Sequence, residues 1–533
     1  MAVTRTPVVV VGGGPVGLTL ALELAHHGVA CVVVEPRVSV ERGSPRAKTT
    51  SSRSMELYRR TGIADEIRRR AGIPLGWSDE IRFCTTATGL EITRITGTLG
   101  LDLAGSALTS EAGQQVPQPT VEEVLRDRLA ADPLVTLWMG WHAIRVGLDG
   151  EHPLVEIEAE DGRTEVIDAD YVVGADGSRS VVRVAIGAHY EGAPGGRPNV
   201  NITFRSQQLG ELLPACAAIH HWVLNPAAPG VVGPLDLNGT WWAIATGTES
   251  IADEAEAISL VRALVGAEID VEIIATDPWQ ARLLLADSYG SGRAYLAGDA
   301  AHQNPPWGGH GYNTGVGDAV NLAWKLAAVI NGWAPPELLE TYEEERRPIA
   351  QQTIDFAATN MKMLSVDLSH SSLMGTGPDA DAARSAVAQA IQQGKRAEFH
   401  SLGLVLGYGY GPDSAAQAPS GGIYLPQAKA GNRLPHARTA DGRSLFDQLG
   451  PEITVLGSTV DARRLYQALA DRGIPVVHVD AIERGFARDD VPALALVRPD
   501  QHLAWVSDDG ALPDDPGPII NAALRGFTTT ASP

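Results

Sequence analysis

The chain opens on an apolar run, Pro7-Val8-Val9-Val10-Val11, breaks at Gly12-Gly13-Gly14, and resumes as a helical pattern through Leu18, Leu20, Leu22, Leu24 and Ala25 to a stop at Gly28. This predicts a buried strand, a tight turn and a helix, followed by a second strand over residues 30–34 that ends on Glu35. Residues 52–62 and 120–131 read as helices, since Met55, Leu57 and Tyr58, and then Val121, Val124, Leu125 and Leu129, fall on recurrent faces. Residues 154–173 alternate instead through Val155, Ile157 and Ala159, with Asp161-Gly162 as a hairpin turn, which predicts a β-meander. Short β-like stretches at 200–204, 220–224 and 240–245 predict a second sheet inserted into the first unit. Helical periodicity returns over 318–331 and 336–363. After a Gly- and Pro-rich stretch at 403–435, the segments 452–457, 462–471, 476–479, 493–498 and 502–506 predict a compact β/α module.

Composition narrows the function classes. The 533 residues, 44% hydrophobic and 20% charged, suit a soluble globular protein of roughly three domains. A formal charge of -22, from 42 basic and 64 acidic residues, argues against nucleic-acid or anionic-membrane partners and points to small molecules. Cys31, Cys84 and Cys216 offer no disulfide framework and no zinc motif, so no metal is expected and a cytoplasmic location fits. The N-terminal apolar run is too short for a signal peptide core, and no window of ~20 uninterrupted apolar residues predicts a membrane span.

Three glycine-punctuated motifs carry the candidate chemistry. In the first, Gly12, Gly14 and Gly17 form a G-x-G-x-x-G pattern with Pro15 at the helix start, which lets backbone amides approach a pyrophosphate, while Glu35 is placed to accept from a ribose. The second, Gly174-Ala175-Asp176-Gly177, ends an apparently buried strand on an acid; alone it would read as a turn. The third, Gly298-Asp299-Ala300-Ala301-His302, ends another strand on an acid and runs into Pro305-Pro306-Trp307-Gly308-Gly309-His310-Gly311-Tyr312-Asn313. That loop leads into a helix whose amides and dipole suit a flavin ring.

In this order the motifs resemble those of the class A flavoprotein aromatic hydroxylases, the group of para-hydroxybenzoate and phenol hydroxylases, over residues 8–348. The resemblance implies an α/β fold with three parts. A Rossmann-like FAD-binding domain comprises residues 1–76, 105–185 and 287–402, and a sheet-based substrate domain residues 77–104 and 186–286. A linker at 403–435 leads to a thioredoxin-like domain at 436–533, which resembles that of the phenol hydroxylase and polyketide- and indolocarbazole-tailoring subgroup through Gly431-Asn432-Arg433-Leu434-Pro435-His436 and Leu496-Val497-Arg498-Pro499-Asp500. No cysteine follows Cys216, so this domain cannot do dithiol chemistry and a scaffolding or dimer role is expected. By the same resemblance Gly12, Gly14, Pro15, Gly17 and Glu35 hold the ADP half of FAD and Asp299 its ribityl-pyrophosphate region. Asp176 serves both FAD and the nicotinamide donor, while Arg46, Gln118, Gly309, Gly311 and Asn313 are further FAD contacts. Arg126 could reach a phosphate, but an exposed helical arginine is the favoured reading.

The implied activity is a monooxygenase that takes electrons from NADPH or NADH, adds O2 at the flavin as a C4a-hydroperoxide, and hydroxylates a phenolic or polycyclic aromatic substrate in natural-product tailoring or aromatic catabolism. Pro306, Gly308, Gly309 and His310 are the expected catalytic positions beside the ring, and Trp222, Trp242 and Trp307 the substrate wall. In an alternating strand only one of Trp241 and Trp242 can face the pocket. Tyr312-Asn313 stands where family members carry Met-Asn, and Trp307 where a smaller residue is usual, which alters the pocket beside the flavin. Halogenation is disfavoured because Trp241-Trp242-Ala243-Ile244-Ala245 lacks the Trp-x-Trp-x-Ile-Pro signature. Baeyer–Villiger or multi-step oxidative tailoring stays open, as does, more remotely, a non-enzymatic FAD-fold binding protein. The partner expected is a small aromatic molecule, and a homodimer is an assembly the sequence allows.

Overall fold

The computed structural model describes residues 3–213, 218–411 and 421–525; Cys216, part of the 403–435 segment and the end of the 436–533 segment lie outside them. Its first sheet is built from β1 (Val3–Val11), β2 (Cys31–Glu35), β7 (Val135–Met139), β8 (Trp141–Gly147), β9 (Leu154–Ala159), β10 (Thr164–Gly174), β16 (Gly290–Ser291) and β17 (Ala294–Leu296). The spine runs β16-β17-β10-β1-β2-β7, with β9 and β8 extending from β10 as the predicted meander. The five strands β17, β10, β1, β2 and β7 are parallel. Val8 to Val10 have no exposed surface, so β1 is covered on both faces, which is why it reads as a continuous apolar run and not as an alternation. The helix Pro15–His26 packs against the long helix His310–Ile330 on one of those faces.

The second sheet comprises β4 (Ile81–Cys84), β5 (Glu91–Ile95), β11 (Tyr190–Arg205), β12 (His220–Val223), β13 (Gly230–Pro234), β14 (Thr240–Thr246), β15 (Glu272–Ala286) and β18 (His302–Gln303). Their order is β18-β15-β11-β14-β13-β12-β4-β5. The pleat sends adjacent tryptophans to opposite faces. Trp241 packs with Phe204, Val261 and Leu264 under the helix Glu254–Val265, and Trp242 with Trp222, Trp307 and Phe399 on the other face. A two-stranded ribbon, β3 (Thr49–Thr50) with β6 (Gln114–Gln115), ties the loop after β2 to the segment before the helix Gln118–Ala130.

Two helical expectations shift. The helix predicted to begin at residue 318 begins at His310, so Gly311, Tyr312, Asn313 and Gly315 are helical. Glycines disguised this turn because they are demanded by packing: a Cβ at Gly315 would lie 2.6 Å from Val16 and one at Gly317 2.7 Å from Arg346. The helix predicted over 336–363 starts as a 3-10 turn, Pro336–Glu340, and becomes α-helical over Thr341–Asn360 with Pro348 inside its first turns.

A third sheet of β19 (Ile453–Gly457), β20 (Val476–Val479), β21 (Leu494–Val497) and β22 (Leu503–Ser507) has the order β20-β19-β21-β22, with the helix Val460–Ala470 crossing between the parallel pair β19 and β20. Its core joins Ile453, Val455 and Leu496 to Trp324 and Trp333 of the first unit. The stretch expected as a linker is packed at its two ends, where Tyr410, Arg433 and Leu434 are buried and Gly409 bridges to Asn432, while Ile423 and Leu425 between them are exposed.

Candidate functional site

The three glycine motifs, more than a hundred residues apart, emerge side by side at the carboxyl edge of the parallel strands. Val11 is in register with Gly174 on one side and Val34 on the other, and Gly174 with Leu296. Backbone bonds lock the exits: Gly12 N–H donates to Val34 O at 2.8 Å, Ala175 N–H to Val11 O at 2.8 Å, and Ala297 N–H to Gly174 O at 2.9 Å. Gly12 has φ +105°, and a Cβ there would sit 2.3 Å from Ala175 O. The next glycine is required for a different reason. Gly13 N–H donates to Glu35 Oε2 at 2.7 Å, and a Cβ at Gly13 would stand 2.7 Å from the Glu35 Cβ. Gly14, by contrast, faces open space and starts its helix with no side-chain cap, so the first-turn amides are free for an anion.

Glu35 is buried and held through its other oxygen by Arg37 N–H at 3.0 Å and Arg37 Nε at 2.6 Å. Beside it, Gln118 bridges Ala47 N–H and Glu122 Oε1. Arg126 corrects the favoured reading of an exposed arginine. It is half-buried, donates through Nη1 to Val38 O at 3.1 Å and to Arg37 O at 3.5 Å, and keeps Nε and Nη2 buried without a protein partner. Burial lowers its pKa, and the nearby Glu35 carboxylate opposes that. Its two spare donors suit an anionic or carbonyl oxygen.

Asp176 accepts from Val181 N–H at 2.8 Å through Oδ2, while Oδ1 is buried with no partner. Burial raises this carboxyl, against hydrogen bonds from Ser180 and Val181. Asp299 lies in a 3-10 turn, Gly298–Ala300, with its side chain open to the cleft yet surrounded by protein, and that enclosure raises its pKa against the pull of His302 and Arg46. Arg46 itself is exposed. The turn is fixed from behind by Asp318, which is fully buried and accepts from Gly298 N–H at 3.1 Å, His302 Nε2 at 2.7 Å and Arg346 Nε at 2.8 Å. Burial alone would raise Asp318, but Arg346 and His302 hold it below the usual carboxylate range.

The Gly308-Gly309 loop forms a slot with Thr49, Ser51, Leu99 and Gly100 at the start of the helix His310–Ile330. Pro306 and Gly309 are exposed beside it. His310 is buried against Phe356, with ring centroids 5.4 Å apart; burial lowers it to about 4, and its Nε2 has no partner. Asn313 was expected to touch the cofactor, but its side chain is engaged by protein. Oδ1 accepts from Ser51 N–H and Ser54 Oγ, and Nδ2 donates to Gly309 O and Thr49 O. It clamps the slot, leaving its backbone as the group that can face a cofactor.

The face of the second sheet that carries Trp242 holds the other expected aromatic residues. Trp222 and Trp242 are 4% exposed and Trp307 9%, all in one apolar cluster, and both indole N–H groups of Trp222 and Trp242 are buried without acceptors. Trp307 stands 6.0 Å from Trp279, and Trp242 meets His220 edge-on at 5.1 Å. Burial, then Lys48 and His221, lower His220 to about 3, and His221, on the opposite face, is lowered to about 4. Neither His220 nor His310 is therefore basic enough to accept a phenol proton efficiently near neutral pH. Gly13, Lys48 and Asp318 were not singled out by sequence. Gly13 sat in a variable position of its motif, and the other two gain meaning only from partners distant in the chain.

This edge suits a long anionic dinucleotide: open amides at Gly14, an unpartnered Asp176 oxygen for a hydroxyl, and two spare Arg126 donors. Among the described residues no cluster of metal-ligating side chains occurs, and no helix is long and apolar enough to cross a membrane. A family model described as an FAD binding domain matches residues 5–357, and one described as the C-terminal part of aromatic-ring hydroxylases matches residues 427–527. A putative polyketide hydroxylase of Streptomyces halstedii is 30% identical, covering 98% of this chain and 97% of its own. Among solved structures, the rebeccamycin biosynthetic enzyme RebC with reduced flavin superposes with a TM-score of 0.88 at 33% identity over 98% of this chain and 99% of its own. The flavin-dependent monooxygenase PieE, in complex with FAD and substrate, gives 0.88 at 27% identity over 98% and 99%.

Proposed function

The chain belongs to the FAD-dependent aromatic-ring hydroxylases, and on that premise we propose that it spends NADPH or NADH and O2 to hydroxylate a phenolic or polycyclic aromatic ring in natural-product tailoring or aromatic catabolism. It is a monooxygenase, and FAD is its cofactor. When bound, FAD relays electrons from the nicotinamide to dioxygen and delivers one oxygen atom to the ring.

The chain's own groups divide the remaining work. Gly12, Gly14, Pro15 and Gly17 offer the pyrophosphate an uncapped helix start, and Glu35, steadied by Gly13 and Arg37, takes the adenosine ribose. Arg46, Gln118 and Arg126 line the same edge, Asp299 holds the ribityl-pyrophosphate region, and Asp176 turns its free oxygen toward the cofactor and the arriving nicotinamide. The main chain of Gly308, Gly309, Gly311 and Asn313 stabilises negative charge on the reduced ring, with Pro306 and neutral His310 shaping the slot. Trp222, Trp242 and Trp307 keep water from the reacting ring.

The observation that carries this reading is the meeting of Gly12, Asp176 and Asp299 on adjacent strand ends. The test is a screen of aromatic compounds for stimulated NAD(P)H consumption, with product mass checked for one added oxygen. No compound that both stimulates consumption and gains oxygen would overturn the hydroxylase reading; a product with oxygen inserted beside a ketone would favour Baeyer–Villiger chemistry instead.

A further inference from the structure

Three hydroxyls run in series between two helix starts. Thr19 Oγ1 donates to Pro15 O at 2.6 Å, Thr19 Oγ1 and Tyr58 Oη lie 3.0 Å apart, and Tyr58 Oη and Tyr312 Oη lie 2.9 Å apart. Thr19 and Tyr58 are buried, and Tyr312 packs on the first core without lining the slot beside Gly308. The tyrosine at 312, expected to alter the pocket beside the flavin, turns back into the fold instead.

The proton positions in this chain follow from its chemistry. A carbonyl oxygen can only accept, so the single Thr19 hydroxyl proton is committed to Pro15 O and the Thr19 oxygen accepts from Tyr58. Tyr58 then has no second proton for Tyr312, so Tyr312 donates to Tyr58. Every hydroxyl has one orientation, running from Tyr312 through Tyr58 and Thr19 to Pro15, and each bond polarises the next. Pro15 and Tyr312 lie in the first turns of the helices Pro15–His26 and His310–Ile330. The middle hydroxyl stands on a third helix, Ser52–Arg60, whose start is gripped by the residue after Tyr312: Asn313 Oδ1 accepts from Ser51 N–H at 2.9 Å and from Ser54 Oγ at 2.7 Å.

We propose that Tyr312 is a positioning residue for FAD: through Tyr58 and Thr19 it fixes the helix start assigned to the flavin ring against the one assigned to the pyrophosphate, so that the two ends of the cofactor are held at one spacing and the ring in one orientation. This inference rests on the proposed assignment of those two helix starts to FAD. An uncharged link suits the place, because a charged side chain behind either amide turn would add its own field to the one the cofactor meets. A methionine at 312, the residue of the resembling family, could not donate to Tyr58 and would leave the chain one bond short, so the link belongs to this sequence.

The test uses Tyr312→Phe and Thr19→Val, each of which removes one hydroxyl and little volume, with Thr19→Ser as the variant that keeps it. Isothermal titration of the apoproteins with FAD and visible circular dichroism of the bound flavin are read beside the melting curve of each apoprotein. Tyr312→Phe and Thr19→Val should each weaken FAD about fivefold, the net worth of one neutral hydrogen bond passed on to the cofactor, and should alter the dichroism of the flavin bands. Thr19→Ser should keep the parent's affinity and bands. Because the bonds act in series, Tyr312→Phe combined with Thr19→Val should weaken FAD by less than about tenfold, well short of the about 25-fold product of two independent effects. The proposal is overturned if the parent does not bind FAD, if the single variants bind it as the parent does with unchanged bands, if the two effects multiply in full, or if only the melting curves move, which would make the chain purely structural. If aromatic products gain oxygen while FAD ignores these hydroxyls, the positioning role fails and the hydroxylase reading stands. If FAD responds to them as expected and no aromatic compound gains oxygen, the hydroxylase reading fails and the positioning role stands.

Discussion

Arg498 and Glu345 meet across 153 residues of chain in a two-pronged ion pair, Nη1 to Oε1 and Nη2 to Oε2, each 2.8 Å, with both side chains buried. Glu345 also accepts from Lys325 at 2.8 Å and Asn321 at 2.7 Å, and Arg498 donates to Asp500 at 2.7 Å. The next residue along the helix, Arg346, holds Asp318, which holds the Gly298 amide beside Asp299. The third sheet is therefore three side chains away from the cofactor edge.

Arg498→Leu leaves Glu345 and Asp500 buried with one cation fewer, and truncating one partner of such a pair costs about 3–5 kcal/mol. Denaturant unfolding of the FAD-loaded enzyme should show a loss of that size, and flavin should dissociate at lower denaturant than in the parent. An unchanged midpoint would mean that the network is not coupled to the fold in this way.

Acid should loosen the same junction. Burial pushes Glu345 up, but Arg498 and Lys325 bring it to about 2; Glu56 is likewise brought to about 2 by Arg433 and Arg53, with Arg433 Nη2 2.5 Å from Glu56 Oε1. A carboxyl depressed in the folded state stabilises fully above its unfolded value of about 4.3 and loses that contribution as pH falls toward the folded value. Stability measured at fixed denaturant should begin to fall below about pH 6.5, because buried His220, His221 and His310 stay neutral in the fold but charge when unfolded, and the two carboxyls should add a further fall between about pH 4.5 and 2. With Glu345→Gln and Glu56→Gln combined, that fall should shrink.

The two cleft acids should fail differently. Asp299→Ala removes an exposed side chain that makes no hydrogen bond among the described residues, so FAD affinity should drop by about 10–100-fold with the melting curve of the apoprotein intact. Asp176→Ala also strips the Val181 amide of its acceptor. After reconstitution with FAD it should slow flavin reduction by NAD(P)H in stopped-flow by about tenfold or more, a transition-state loss of about 1.4 kcal/mol. Normal reduction would detach Asp176 from the nicotinamide.

Gly13→Ala puts a methyl where the Glu35 stem now lies, 2.7 Å away. Glu35 must shift or the turn must open, and FAD binding should weaken by about tenfold or more, comparable to Glu35→Ala; the double variant should lose little beyond either single change. Isothermal titration of the apoproteins with FAD reads all three.

The opening strand-turn-helix was legible because Val8 to Val11 and Leu18 to Leu24 change period across the glycines, and the split of Trp241 from Trp242 followed from the pleat alone. The start of the helix at His310 was hidden because Gly311, Gly315 and Gly317 look like a loop and are in fact close-packing positions. Arg126 looked like a surface residue because helical periodicity says nothing about a loop folding over it; its bond to Val38 O arises from the chain after β2. Lys48 and the Arg433–Glu56 pair were silent for the same reason at longer range, since each partner comes from a segment distant in the chain.

β17, whose Leu296 stands in register with Gly174, is the last strand to join the edge where the three motifs meet, and the whole of the second sheet except β18 precedes it in the chain. A ribosome making this protein must therefore pass residue 300 before the cofactor cleft has its third side. Until then the growing chain has the Gly12 turn and Glu35 in hand but not Asp299, so a complete cofactor edge exists only after every strand of the first sheet has been synthesised.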